Sequence, residues 1–275
     1  MQIKYKAIAC LSAFITLNSL LIPSARAQES YANFFDWCQA QDKLDAETQN
    51  TIKAVMEAIN VDNCTSAAKR ANVITRLNLI SSEISDVRPL GSLTNLTQLV
   101  IYNNQISDIS PLSSLTNLRT LQLGYNQVSD ISPLASLTNL TLLGLLRNQV
   151  SDLTPLASLP NLSILRLNQN KISDISPLGS LTNLTELYLG RNKISDISAL
   201  SSLTNLDELD LNSNQISDVR PLSSLINLSK LNLDRNQISN VRPLGNLTNL
   251  SELYLNNNPA SNQVCPDNSD ALCFL

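Results

Sequence analysis

The sequence predicts an α/β solenoid, a stack of short and nearly identical coils closed at its N-terminal end by a helical cover. Three observations carry this. A 22-residue period starts at Leu77 and never slips, its first leucine falling at 77, 99, 121, 143, 165, 187, 209, 231 and 253. An unbroken period of this length marks a stacked-repeat architecture. An asparagine column keeps step with it through Asn104, Asn126, Asn148, Asn170, Asn192, Asn214, Asn236 and Asn258. The composition is 43% hydrophobic but only 4% aromatic, so the interior must be built from aliphatic side chains.

The first element is a targeting segment. Lys4 and Lys6 form a basic n-region, an apolar run from Ala7 to Ile22 follows, and Ala25-Arg26-Ala27 fits the small-x-small rule for signal peptidase. Residues 1–27 therefore read as a signal peptide cleaved before Gln28. The apolar run is about 16 residues, short for a membrane span. Cys10 lies too early in it for a lipidation site and reads as a small apolar residue of the signal. Removing Lys4, Lys6 and Arg26 from 19 basic residues leaves 16 against 23 acids, a net charge of −7. That balance argues against a nucleic-acid partner, whose phosphates need a basic surface. It suits a soluble protein that is secreted or resides in the periplasm or cell envelope.

Four cysteines remain in the mature chain: Cys38, Cys64, Cys265 and Cys273. They allow three pairings. Cys38–Cys64 with Cys265–Cys273 is the one that does not join the two ends of a long rod. The alternative, a metal site, has neither a histidine nor a tight C-x-x-C pair to build on. Disulfides imply an oxidising compartment, in line with the leader.

Residues 28–76 are expected to cover the open apolar end of the stack. Asp45 is placed to cap a helix over about 46–60, with Ile52, Val55, Met56 and Ile59 at the i, i+3, i+4, i+7 spacing of a buried stripe. A shorter helical piece around Ser66–Arg70 leads into Leu77.

The repeats occupy 77–258 as eight full units and a truncated ninth. In Leu99-Val100-Ile101 strand alternation turns the outer two residues inward and the middle one outward. Ile106, Ile109, Leu112, Leu115 and Leu118 join Leu99 and Ile101 inside the coil. The asparagine amides are expected to bond backbone groups of neighbouring coils at the turn that ends the strand. The aspartate column (Asp86, Asp108, Asp130, Asp152, Asp174, Asp196, Asp218) precedes an Ile-Ser-Pro-Leu turn and suits an N-cap, with proline pre-setting the turn. A calcium ladder is the sharper reading of these aspartates, but the glycine-rich nonapeptide that builds such ladders is absent. Asn-Leu-Thr and Asn-Leu-Ser recur at Asn95, Asn139, Asn161, Asn183, Asn227 and Asn249. These formal glycosylation acceptors recur because the repeat recurs and read as structural.

The consensus L-x-L-x-x-N-x-I-S-D-I-S-P-L-x-S-L-T-N-L, carried at 121–140 as L-Q-L-G-Y-N-Q-V-S-D-I-S-P-L-A-S-L-T-N-L, resembles the leucine-rich-repeat family, in particular its 22-residue bacterial internalin-like class. The resemblance covers about two thirds of the chain. Departures are Ser82 for the first asparagine, Ala199 for a proline, Ile226 for a threonine and Asn240 for an aspartate. The resemblance implies a right-handed coil with a parallel sheet on the concave face and 3₁₀-like segments on the convex face. It also implies an interaction scaffold. Residues 259–275, with Cys265 and Cys273 closing a loop, are expected to form a C-terminal cap in which Phe274 and Leu275 seal the last coil's apolar edge.

In such a stack the interior columns specify the fold, so function is sought in the concave columns that vary between units. In the first half these carry apolar and aromatic residues with arginines. In the second half they carry Glu186, Glu208, Asp210, Asp234, Arg235, Glu252 and Tyr254. Tyrosine and arginine dominate interface hot spots, and a cluster of solvent-exposed Leu and Ile calls for an explanation. The expected partner-binding patch is Val100, Tyr102, Tyr125, Leu142, Leu146, Arg147, Ile164, Arg166, Tyr188 and Arg191. The partner would be a protein or a surface glycan. A structural envelope component and an inhibitor of a secreted enzyme are the competing roles. Catalysis is not expected: the chain has no histidine, no G-x-S-x-G and no P-loop. No cofactor or metal is implied.

Overall fold

The computed structural model describes residues 31–259 and 272–274. The expected signal peptide and the side chains of the expected Cys265–Cys273 bridge lie outside the described residues. Three helices come first: α1 (Phe34–Gln39), α2 (Ala46–Ala58) and α3 (Cys64–Ala71). Nine three-residue strands follow at 22-residue intervals, β1 (Arg76–Asn78) through β9 (Glu252–Tyr254), with a 3₁₀ turn between each and the next. A tenth strand, β10 (Leu272–Phe274), pairs with β9, and all ten lie parallel in chain order in one sheet. No described helix is long and apolar enough to cross a membrane.

The cover forms as its sequence dictates, with two differences. Asp45 accepts the Thr48 amide at 2.8 Å and starts α2. Ile52, Val55 and Ile59 are buried while Met56 is only partly so. The α2 helix stops at Ala58, because Asn60 takes a left-handed conformation (φ 55°) and turns the chain out of the helix. The third helix spans 64–71 rather than 66–70, its start set by the Asn63 side chain accepting the Ser66 amide. Helix α1 escapes periodicity because six residues are too few to show it, yet it buries Phe34 and Trp37 against the first coil. Cys38 and Cys64 form the expected disulfide, tying α1 to α3. Across the joint, Arg88 of the first coil donates to Asp45 and Asp86, at 2.9 Å each, and to Thr48. Burial opposes ionisation of Asp45, but hydrogen bonds from Thr48 and Arg88 prevail and hold its carboxyl below the ordinary range.

Each coil buries the aliphatic set read from the period; Leu99, Ile101, Ile106, Ile109, Leu112, Leu115 and Leu118 are all buried. Three side-chain ladders tie coil to coil. In the first, the asparagine after each strand works in two directions. Asn126 accepts the Ile106 amide at 3.0 Å and donates to the carbonyls of Ile101 and Leu123 at 3.0 and 2.9 Å. At the first coil Ser82 leaves this position empty, and Asn50 of α2 donates to the Ser82 carbonyl instead. In the second, on the opposite side, the sequon asparagines donate one coil back, as Asn139 does to the Thr116 carbonyl at 2.9 Å. They are structural, as expected. In the third, serines such as Ser114 donate to the carbonyl of Gly91 in the preceding coil.

The aspartates hold the 3₁₀ turns, but not as N-caps. The capping position is the next residue, Ile109 in the second full coil, and Asp108 accepts the amide of Ser110 two residues on, at 2.8 Å. The short Asp side chain folds back across one peptide in an Asx turn, which leaves the hydrophobic residue free to point inward. Phe274 also departs from expectation. Its register opposite Tyr254 places it on the open face of the sheet, where the rings stack at 4.7 Å, and it stays 42% exposed.

Candidate functional site

Strands stack at about 4.8 Å, while the 3₁₀ turns on the other side are bulkier, so the sheet side becomes the concave one. Four columns reach that face. Taking Leu99 as reference, they are the residue before it (Gln98), the residue after it (Val100), and the third and fourth after it (Tyr102, Asn103). The fourth column has an unusual backbone. Ser81, Asn103, Tyr125, Arg147, Gln169, Arg191, Ser213, Arg235 and Asn257 all have φ between 53° and 58°. This left-handed region favours glycine or asparagine, yet none of the nine is glycine. Tyr125, Arg147, Arg191 and Arg235 therefore project from a lip whose backbone does not select them.

All ten residues of the expected patch lie in these columns, and nine of them divide into three groups, with Arg191 apart. In the first, Tyr102 and Tyr125 pack with ring centroids 4.9 Å apart, and the Arg147 guanidinium lies 4.7 Å from the Tyr125 ring centre. Gly124 makes this possible, because a Cβ there would lie 2.7 Å from the Tyr102 ring. Hydrogen bonding from Arg147, and then from Tyr102, holds the Tyr125 phenol below its ordinary range. Burial, then the bond with Tyr125, pushes Tyr102 above it. In the second group Leu142 and Ile164 face each other in register on neighbouring strands, with Leu146 further along the coil of Leu142 and Val100 two strands before it on β2. These aliphatics are half-buried rather than fully solvent-exposed, which corrects the sequence expectation: on a pleated sheet each is flanked by its neighbours one strand away.

The third group joins Arg166 and Tyr188. The guanidinium stands 5.5 Å over the ring and 3.5 Å from Glu186. The Tyr188 hydroxyl lies between two carboxylates, 2.7 Å from Glu208 and 3.0 Å from Glu186. Burial, then the bonds to Glu208 and Glu186, push this phenol well above its ordinary range. Arg191, exposed on the lip, belongs to a different feature.

That feature is an open groove of about 530 Å³ running along the third and fourth columns and reaching Asn232 of the second, lined by Leu146, Asn168, Gln169, Arg191, Asn212, Ser213, Asn232, Asp234 and Arg235. Gly190 keeps its floor open, since a Cβ there would collide with the Asn212 amide. Asp210 accepts from Asn168 at 2.8 Å and from Asn212 at 2.6 Å, and Asp234 accepts from Asn256. Sequence reasoning sought aromatic, aliphatic and arginine residues, so it passed over the amides that line this groove. The signal was present: each amide occupies a column already identified as concave. Ile80, 49% exposed in the first coil's third column, was missed as well. Among the described residues no group of three or more acids or cysteines is arranged to hold a metal ion.

The leucine-rich-repeat family model matches residues 74–114, 116–158, 160–202, 182–224 and 204–246. No curated protein matches the chain. Among solved structures, internalin C2 of Listeria monocytogenes is 35% identical, covering 81% of this chain and 97% of its own, with a TM-score of 0.69. An internalin, InlF, of the same organism is 29% identical over 76% of this chain and 75% of its own, with a TM-score of 0.55. A plant peptide hormone receptor, RGFR1, solved in complex with RGF2, is 26% identical with a TM-score of 0.62; the match covers 70% of this chain but 33% of the receptor. With repeats matched over more than half its length and an internalin similar across four fifths of it, this chain belongs to the leucine-rich-repeat family and is of the internalin type.

Proposed function

We propose that this protein is an exported, non-catalytic recognition module that binds a protein partner on its concave face. Internalin-type leucine-rich repeats are in general protein-interaction modules, and one similar structure, the plant receptor, is in complex with RGF2. The observation that carries the reading is the juxtaposition on one surface of Tyr102, Tyr125 and Arg147, the in-register pair Leu142 and Ile164, and Arg166 with Tyr188. Tyrosine and arginine side chains held against their neighbours present large contact area with little entropy left to lose. Export is supported by the leader-like residues 1–27 and by the Cys38–Cys64 disulfide, which persists in oxidising compartments. The division into leader (1–27), cover (28–76), solenoid (77–258) and terminal cap (259–275) belongs to the same proposal.

The test is cross-linked capture from the envelope and medium of the producing cells. The bait is the chain without residues 1–27, beside a Leu142→Glu/Ile164→Glu version of unchanged circular dichroism. A protein held by the first and lost by the second is the expected result. Equal capture by both baits, or capture of polysaccharide alone, would overturn the proposal.

A further inference from the structure

The fourth concave column carries arginine at every second coil: Arg147, Arg191 and Arg235, separated by Gln169 and Ser213. All three are exposed. The ion pairs of the described residues engage Lys53, Arg88, Arg166, Arg220 and Lys230, and these three arginines take part in none. Arg191 and Arg235 line the groove and Arg147 stands in the same column two coils before it, leaning on Tyr125. Two strand spacings separate one guanidinium stem from the next, about 9.5 Å. The row thus offers three positive charges without an ion-pair partner, Arg147 resting on Tyr125, at a regular interval along one side of an open channel.

Acids stand beside the row. Asp234 lines the groove next to Arg235, Asp210 holds the amides of Asn168 and Asn212, and Glu186 and Glu208 stand in the first column, with Glu252 further along paired to Lys230 at 3.1 Å. A uniform polyanion laid on this face would meet these acids, whereas a polypeptide can place carboxylates on one side only. The groove lining narrows the class further. Gln169 and Ser213 make no side-chain hydrogen bond among the described residues, and Asn168, Asn212 and Asn232 each engage only one end of the amide. Unused amide donors and acceptors suit a chain whose own peptide groups are free. A helix satisfies its backbone internally and gains little from them. Among extended forms, a β-strand repeats a side at about 6.7 Å, which does not match the arginine interval. Polyproline II has three residues per turn and a rise of about 3.1 Å, so every third side chain returns to one side after about 9.3 Å.

We infer that the groove takes an extended, polyproline II-like segment of the protein partner, with an acidic side chain at every third residue set against Arg147, Arg191 and Arg235. This rests on the concave-face reading above and adds to it the conformation and charge pattern of the bound segment.

The probe is a fluorescein-labelled (Glu-Ala-Pro)5 peptide, in which alanine before proline is held in the extended region. Its control is (Glu-Ala-Pro-Ala)4, whose carboxylates wind away from one side. Fluorescence anisotropy at low salt is expected to show the three-residue repeat binding about five- to tenfold tighter than the control. Arg191→Gln/Arg235→Gln is expected to abolish that difference, Arg191→Lys/Arg235→Lys to keep most of it, and added salt to weaken binding. No binding, equal binding of the two peptides, or binding indifferent to the glutamine variant overturns the inference. So does a heparin probe that binds through these arginines when the peptide does not. The Leu142→Glu/Ile164→Glu capture experiment reads the concave face without this peptide, so the two readings fail separately.

Discussion

Replacing Asn214 by alanine tests what holds one coil to the next. Asn214 is 8% exposed and ties its own coil to the preceding one. Its carbonyl oxygen accepts the Ile194 amide at 3.0 Å, and its amide nitrogen donates to the carbonyls of Leu189 and Leu211 at 3.1 and 3.0 Å. The two carbonyls do not lose everything on truncation, because Asn192 also donates to Leu189 and Asn236 to Leu211. The Ile194 amide has no second acceptor. A buried donor left unpaired costs roughly 1–3 kcal/mol, and with the two weakened carbonyls the expected loss is about 2–4 kcal/mol. Asn227→Ala is the control in the same coil: it removes a single exposed bond to the Thr204 carbonyl, worth about 0.5–1 kcal/mol. Urea unfolding followed by far-ultraviolet circular dichroism reports the stack. The fluorescence of Trp37, the chain's one tryptophan, buried in the cover, reports the cap. Coincident transitions license a single free energy; separated ones locate the loss in the solenoid. If Asn214→Ala costs no more than Asn227→Ala, the asparagine ladder does not carry the stack, and the account of coil-to-coil cohesion is wrong.

Three further outcomes are expected. Cys38→Ser/Cys64→Ser opens a loop of 26 residues, and chain entropy puts the loss near 3.5 kcal/mol, read as an early Trp37 transition with the circular-dichroism midpoint little changed. Asp45 has its folded pKa depressed, so it contributes stability above its unfolded value, near 3.8, which is lost as pH falls through the lower folded value. Cap stability measured by Trp37 should therefore decline below about pH 4 in the native protein, and more shallowly in Asp45→Asn. Gly124→Ala drives a methyl into the Tyr102 ring and should displace it from Tyr125, cutting partner capture several-fold at a stability cost of about 1–2 kcal/mol. Capture that survives this substitution would remove the tyrosine pair from the interface.

The period alone determined the architecture, because each coil repeats the same local instruction. Alternation around each strand leucine, an asparagine whose amide fits the turn beyond it and a proline that sets the 3₁₀ turn agree in all units but those of Ser82 and Ala199, and stacking lets each coil bury what the last leaves open. The buried aliphatic set, the α2 cap at Asp45 and the Cys38–Cys64 bridge follow from the same kind of local signal. The concave columns could be read too, since a period of two fixes which side chains face outward. Relations between columns could not. That Gly124 seats Tyr102, that Tyr188 lies between two glutamates, and that Gly190 opens an amide-lined groove beside Arg191 and Arg235 all depend on side-chain reach across strands about 4.8 Å apart. The left-handed backbone of the lip and the stacking of Phe274 on Tyr254 are likewise products of packing. Residues 22 apart in sequence become neighbours only when the coils stack, and it is those neighbours that turn an exposed column into a surface with a particular chemistry.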